Sequence, residues 1–180
     1  MKRSFKQVVL GLSMVLLSYS GRIVAEDIPV TIKVTILEPV CTVTDLAGNN
    51  RTEVDFETVS VTAVNNTAAI RDLNMKVTCD GVAPSGKTLK IQVSAVSGGT
   101  ITYAGQQVLG TSLSGLGIRL TDTTGQVIPP GLWTALSGVI IPSGSLSAQV
   151  KLKAALVSDT VNTLKGGSFT SSASVVMAYQ

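Results

Sequence analysis

Residues 26–41 read EDIPVTIKVTILEPVC. Ile28, Val30, Ile32, Val34 and Ile36 are apolar, while Pro29, Thr31, Lys33 and Thr35 between them are not. This is unbroken period-2 alternation, β-branched on its apolar side, and it predicts a strand with one water-avoiding face. No turn signal follows that would fold it back on a neighbouring strand; it runs into Pro39 and the first cysteine instead. Burying five such side chains contributes roughly 8–15 kcal/mol. Ordering nine backbone residues costs roughly 9–18 kcal/mol. The two nearly cancel, so the segment is ordered only where its main chain joins a sheet and its apolar face enters a prepared groove. It is either the first strand of its own sandwich or a strand made for a neighbouring molecule.

Upstream of this stretch, Lys2, Arg3 and Lys6 precede an apolar run from Val8 to Leu17, and Ala25 supplies a small residue at a cleavage point. That is the pattern of a secretory signal peptide over residues 1–25, and the run is too short to span a bilayer. The full chain has 14 Lys and Arg against 11 Asp and Glu, net +3. Four of the basic residues lie in the leader, so the remainder holds ten against eleven, net −1. The basic isoelectric point thus belongs to the leader. No basic run with interleaved aromatics follows it, which removes nucleic acid as a partner.

Downstream, the chain alternates in short runs between turn signals. Val54 and Phe56 alternate with acidic residues, and Leu73, Met75, Val77 and Cys79 share one face of a longer run. Leu89, Ile91, Val93 and Ala95 precede Gly98-Gly99; Leu116, Ile118 and Leu120 lead into the turn signature of Asp122 to Gly125. Pro129-Pro130-Gly131 ends the next run, and Leu146, Ala148, Val150, Leu152 and Ala154 form another with lysines opposite. Helical spacing holds only briefly, around 67–73 and 158–164. These runs predict an all-β sandwich formed by one domain. Two cysteines, Cys41 and Cys79, in an exported chain predict one disulfide. With no histidine in the chain, two thiols make a poor zinc site.

The closing stretch, Phe169 to Tyr179, has Phe169, Ala173, Val175, Met177 and Tyr179 on one face, interrupted by Ser171. It gives the sheet a second apolar border, and soluble monomers normally blunt such edges.

Taken together, these features resemble the pilin subunits of chaperone–usher fimbriae of Gram-negative bacteria. The resemblance spans the chain. It rests on the leader, the alternating extension ending in Pro39-Val40-Cys41, the second cysteine Cys79, Gly167 fourteenth from the end, and the penultimate Tyr179. It implies an incomplete immunoglobulin-like β-sandwich whose seventh strand is supplied in trans, with residues 26–38 as an N-terminal donor-strand extension and 39–180 as the pilin domain. It further implies three classes of partner: neighbouring pilin subunits, a periplasmic chaperone and an outer-membrane usher. Ile28, Val30, Ile32, Val34 and Ile36 would be the donor residues. Gly167, Phe169, Ala173, Val175, Met177, Tyr179 and Gln180 would edge the groove and dock the chaperone, which would hold the terminal carboxylate. Val34 departs from the pattern, because members usually carry glycine seven residues before the first cysteine.

Enzymatic chemistry finds little support. Asp55 and Glu57 would lie on one solvated strand face, and without histidine the Ser-His-Asp arrangement is impossible. No phosphate-binding glycine loop leads from a strand into a helix, and no cofactor is expected. The alternative to a fibre link is a β-sandwich binding carbohydrate or a host surface, with Tyr103 and Trp133 as the aromatics placed to stack on a sugar.

Overall fold

The computed structural model describes residues 38–137, 139, 141 and 146–180. The alternating stretch 28–36 and the leader lie outside the described residues.

Two antiparallel sheets form the domain. Strands are β1 (Cys41–Thr44), β2 (Ile70–Cys79), β3 (Leu89–Ser97), β4 (Thr100–Tyr103), β5 (Gln106–Gly110), β6 (Gly117–Asp122), β7 (Thr134–Ala135), β8 (Ser147–Val157) and β9 (Ser172–Tyr179). The larger sheet has the order β1-β2-β8-β6-β5-β4, and the smaller has β7-β3-β9. The stretches 67–73 and 158–164 hold only single 3-10 turns, Thr67–Ala69 and Val161–Thr163, and the first passes directly into β2. One turn of helix is all that their brief periodicity supports.

Period-2 alternation places the core. Along β2, Leu73, Met75, Val77 and Cys79 are buried and the residues between them are exposed. Across the ladder, Leu73 faces Leu152 and Met75 faces Val150, so two apolar rows meet side by side. In the smaller sheet, Ile91 faces Met177 and Val93 faces Val175. The far end of β8 breaks the alternation, with Ala154, Ala155, Leu156 and Val157 all buried. There, Val108, Ile101 and Tyr103 of the β4–β5 hairpin pack with Ala155 and Val157 as a second, smaller cluster.

The disulfide Cys41–Cys79 joins directly opposed residues of β1 and β2. In the chain-entropy account, closing a loop of this length stabilises the fold by about 4 kcal/mol. Where β3 turns out of the smaller sheet into β4, the chain crosses itself at two glycines. A Cβ on Gly110 would lie 2.2 Å from the Gly98 carbonyl oxygen, and one on Gly98 would lie 2.4 Å from that of Gly110. Only glycine permits backbone on backbone at that separation. The Gly98-Gly99 pair is therefore a corner between sheets.

The turn after β6 is organised by a buried carboxylate. Asp122 accepts hydrogen bonds from the Thr124 N–H at 2.8 Å, the Thr124 hydroxyl at 2.7 Å, the Gln126 N–H at 2.9 Å and the Ser137 N–H at 3.2 Å. Burial pushes its carboxyl up, but the hydrogen bonds from Thr124, Gln126 and Ser137 outweigh burial and hold it below the ordinary aspartate value. A depressed folded pKa contributes stability that is complete above the unfolded value, about 3.9, and is lost as pH falls through the folded value. Asp122→Ala is expected to cost about 1–3 kcal/mol at pH 7, since the buried donors lose their acceptor. Urea unfolding from pH 7 to pH 2 should show the gap between wild type and variant closing only below about pH 4.

Candidate functional site: an open groove beside the last strand

β9 is an edge strand. It pairs with β3 on one side, and among the described residues no strand pairs with the other. Its inward side chains are covered unevenly. Met177 and Tyr179 are buried at 1% and 6% exposure, whereas Ala173 and Val175 are only half-buried. The strand is therefore roofed at its end and open at its beginning. Beside the open part runs a groove of about 720 Å³ floored by Leu73, Met75, Val93, Leu109 and Leu120. It continues into a space of about 400 Å³ between Val43–Asp45 and Ser172–Val175, with Met75, Ala173 and Val175 lining both. The floor belongs to the main core, so this is an apolar interior reached from outside.

The wall opposite β9 is residues 51–56, which form no strand. Val54 and Phe56 alternate with acidic residues as in a strand, but no described strand pairs with this segment to supply a ladder. One end is nevertheless anchored. Phe56 is buried, its ring centroid lies 6.1 Å from that of Phe169 at 50°, and the Arg71 guanidinium sits 6.0 Å above it. Arg71 also donates to the Phe56 carbonyl at 3.1 Å. The two walls thus meet through one aromatic pair.

The approach to β9 is held by the segment after β5. Ser112 N–H donates to the Thr170 carbonyl at 2.9 Å, the Thr170 N–H donates to the Ser112 hydroxyl at 3.0 Å, and the Ser171 hydroxyl donates to the Gly110 carbonyl at 2.7 Å. These bonds explain why β9 begins at Ser172 and not at Phe169. At the other end, Gln180 and Thr88 exchange both backbone hydrogen bonds, at 3.0 and 3.1 Å.

Of the residues that sequence placed at a groove edge, Phe169, Ala173 and Val175 line the opening. Met177 and Tyr179 lie in the covered core, Gln180 is exposed beyond them, and Gly167 precedes the strand on the surface. An added Cβ on Gly167 would meet only Leu113, at 3.6 Å, so nothing within this subunit demands glycine there. The donor positions Ile28 to Ile36 lie outside the described residues. Sequence reasoning missed the floor residue Leu109 and the clamp at Ser112. Neither stands in a run whose period announces a partner.

Asp55 and Glu57 do not form an acid–base pair on a strand face. The Asp55 carboxylate accepts the Glu57 N–H at 2.7 Å, and Glu57 sits at φ 55°, so the two make a local turn. Arg51 pairs with Glu53 at 2.8 Å, both well exposed, an ion pair of little energetic weight. Among the described residues no three His, Cys, Asp or Glu side chains converge as a metal site. Tyr103 ends β4 with the Arg119 guanidinium 5.5 Å over its ring, so a cation already holds one stacking face. Trp133, immediately before β7, is 37% exposed.

Residues 30–180 match the family model described as fimbrial protein. The chain belongs to the fimbrial protein family. Its fold is similar to that of solved pilus proteins. The P pilus rod subunit PapA aligns with a TM-score of 0.55 at 17% identity, covering 78% of this chain and 99% of that one. A chaperone–usher pilus studied for rod uncoiling aligns at 0.56 and 17% identity, over 87% and 100%. The P pilus adaptor subunit PapF aligns at 0.51 and 23% identity, over 81% and 100%. No curated protein matches the sequence. The sandwich is accordingly immunoglobulin-like, and the fimbrial subunit is a structural protein, not an enzyme. Fimbrial subunits are exported and assembled with one another into pili on the cell surface, which locates this chain there.

Phe56→Ala removes the aromatic pair between the two walls of the groove. It is expected to cost about 3–5 kcal/mol in urea unfolding, with protease cleavage appearing first in the 51–56 wall.

Proposed function

We propose that the chain is a link in a fimbrial fibre, joined to its neighbours by donor-strand exchange. The observation that carries this reading is the unpaired side of β9 beside an apolar groove. An extended peptide laid there would meet two needs at once. Its backbone would satisfy the free edge of β9, and its alternate side chains would cover Leu73, Val93 and Leu109. The segment that suits this use is 26–38, with Ile28, Val30, Ile32, Val34 and Ile36 on one face.

On this reading residues 1–25 direct export and are removed, 26–38 serve the neighbouring subunit, and 39–180 form the receiving domain. Before assembly, a periplasmic chaperone occupies the same groove with a strand of its own, against Phe169, Ala173 and Val175. At an outer-membrane usher the extension of the next subunit displaces it. The physical reason for a chaperone is the groove itself. Core side chains facing water draw subunits into unspecific association until a strand covers them.

Two outcomes test this. Residues 39–180 produced without a chaperone or an added donor strand should aggregate, and a stable soluble monomer in light scattering would argue against the groove's role. Ile32→Asp or Ile36→Asp in the full chain should abolish incorporation into fibres while chaperone pull-down stays at the wild-type level. Those side chains act on a neighbour and not on the fold that carries them.

A further inference from the structure

The outer face of the larger sheet, turned away from the groove, carries a pattern of its own. Leu73 and Met75 of β2, Leu120 of β6, and Val150 and Leu152 of β8 point into the core, so the residues between them point out. Four of those outward positions are basic: Lys76 on β2, Lys151 and Lys153 on β8, and Arg119 on β6. The registers set Lys76 opposite Gln149 and Arg119 opposite Ala155. Measured along β8, the cations stand level with residues 149, 151, 153 and 155, one at every second position. They form a diagonal row across three neighbouring strands. At a rise of about 3.4 Å per residue and about 4.8 Å between strands, successive Cα atoms lie roughly 7–8 Å apart and the row is about 22 Å long.

We propose that this row binds a sulfated glycan chain lying across the sheet. The surface is separate from the groove, and the proposal does not rest on the donor-strand reading.

Charge is the first argument. From Glu38 to Gln180 the chain has nine Lys and Arg against nine Asp and Glu, so the domain as a whole is neutral. Four of nine cations in one row is a local concentration, not the by-product of a basic protein. Nor are they engaged within the fold. Among the described residues the ion pairs are Arg51 with Glu53 and Lys87 with Glu38, and neither includes the row. The three lysines are exposed and make no hydrogen bond among the described residues. On β2, β6 and β8 the one outward carboxylate is Asp72, opposite Lys153. Beyond β8, Asp159 is occupied by the Ala104 N–H, at 3.2 Å from each oxygen.

The neighbours of the row decide which polyanion suits it. The Arg119 guanidinium is held 5.5 Å over the Tyr103 ring, and its Nε is shut from solvent without a hydrogen-bond partner. A planar fork fixed in this way is prepared for an oxyanion. Gln149, Asn74 and Thr121 stand opposite Lys76, Lys151 and Lys153. Cations beside neutral hydrogen-bonding side chains match a chain that offers sulfates and hydroxyls together. A nucleic-acid strand needs ring faces on which bases stack, and the ring beside the row is covered by Arg119. An anionic membrane favours apolar side chains among the cations, and none of the large exposed hydrophobics lies on β2, β6 or β8.

The test compares wild type with Lys76→Gln/Lys151→Gln/Lys153→Gln on immobilised heparin, each as the full chain and in the same state of assembly. Binding releases counterions from the polyanion, so affinity should fall as salt rises. With one of four cations left, the variant should keep about a quarter of the wild-type slope of log affinity against log salt. It should bind roughly tenfold more weakly at low salt. Lys76→Arg/Lys151→Arg/Lys153→Arg should bind as wild type does, and Lys90→Gln/Lys165→Gln, which removes cations elsewhere, should change little. Asp72→Asn should tighten binding, a gain that misfolding cannot mimic. Chondroitin sulfate should compete, whereas a single-stranded oligonucleotide and phosphatidylserine vesicles should not. Equal losses from the row and the distant pair, no gain with Asp72→Asn, or competition by oligonucleotide or vesicle as strong as by free heparin would each overturn the proposal.

Discussion

The backbone along the outer side of β9 has donors and acceptors that no strand pairs among the described residues, and the rest of the domain is arranged around that fact. A buried sheet edge without partners is costly, and a free edge with greasy flanks is an invitation to associate. Most sandwiches remove the difficulty by adding a strand. This domain leaves it in place and controls its surroundings. Phe56 and Phe169 fix the two walls, and Ser112 pins the approach to the strand at Thr170. Tyr179 and the Gln180–Thr88 exchange seal the far end. Along β9 the opening is confined to its first half, up to Val175, with the floor beneath it.

Such confinement requires the remainder of the domain to be firm. The Cys41–Cys79 bond ties β1 to β2 at the border of the larger sheet. The crossing of Gly98 on Gly110 holds the corner where the chain changes sheets, and the Gly110 carbonyl also receives the Ser171 hydroxyl. The corner glycine and the start of the groove wall are thus mechanically continuous. Asp122 performs a similar service in the turn after β6, gathering four donors onto one carboxylate. Rigid margins make the gap a site, because a groove whose walls collapsed inward would lose its shape before any strand arrived.

The donor-strand reading gives a reason why a domain would keep this arrangement. Subunits joined in that way would share a core across the junction, and a shared core combines hydrophobic burial with backbone hydrogen bonding over a long contact. Asp55 and Glu57 form a turn on the rim, Tyr103 lies beneath Arg119, and the groove floor is apolar. Contact area is what this surface offers.

Much of this was legible from residue order alone. Alternation marked β2, β3, β8 and most of β9, because a two-residue period leaves one half-buried face wherever a strand lies on a core. An exported chain with two cysteines implied their pairing. Residue order could not show that 51–56 would be a wall without a ladder, since Val54 and Phe56 alternate just as strand residues do, and only a neighbouring strand turns alternation into pairing. Nor could it show that Met177 and Tyr179 are roofed while Ala173 and Val175 stand open on the same face of the same strand. Local pattern determines which side of a strand avoids water. What lies over that side is decided by segments distant in the chain, here Phe56, Leu109 and Ser112, and that exists only once the chain is folded.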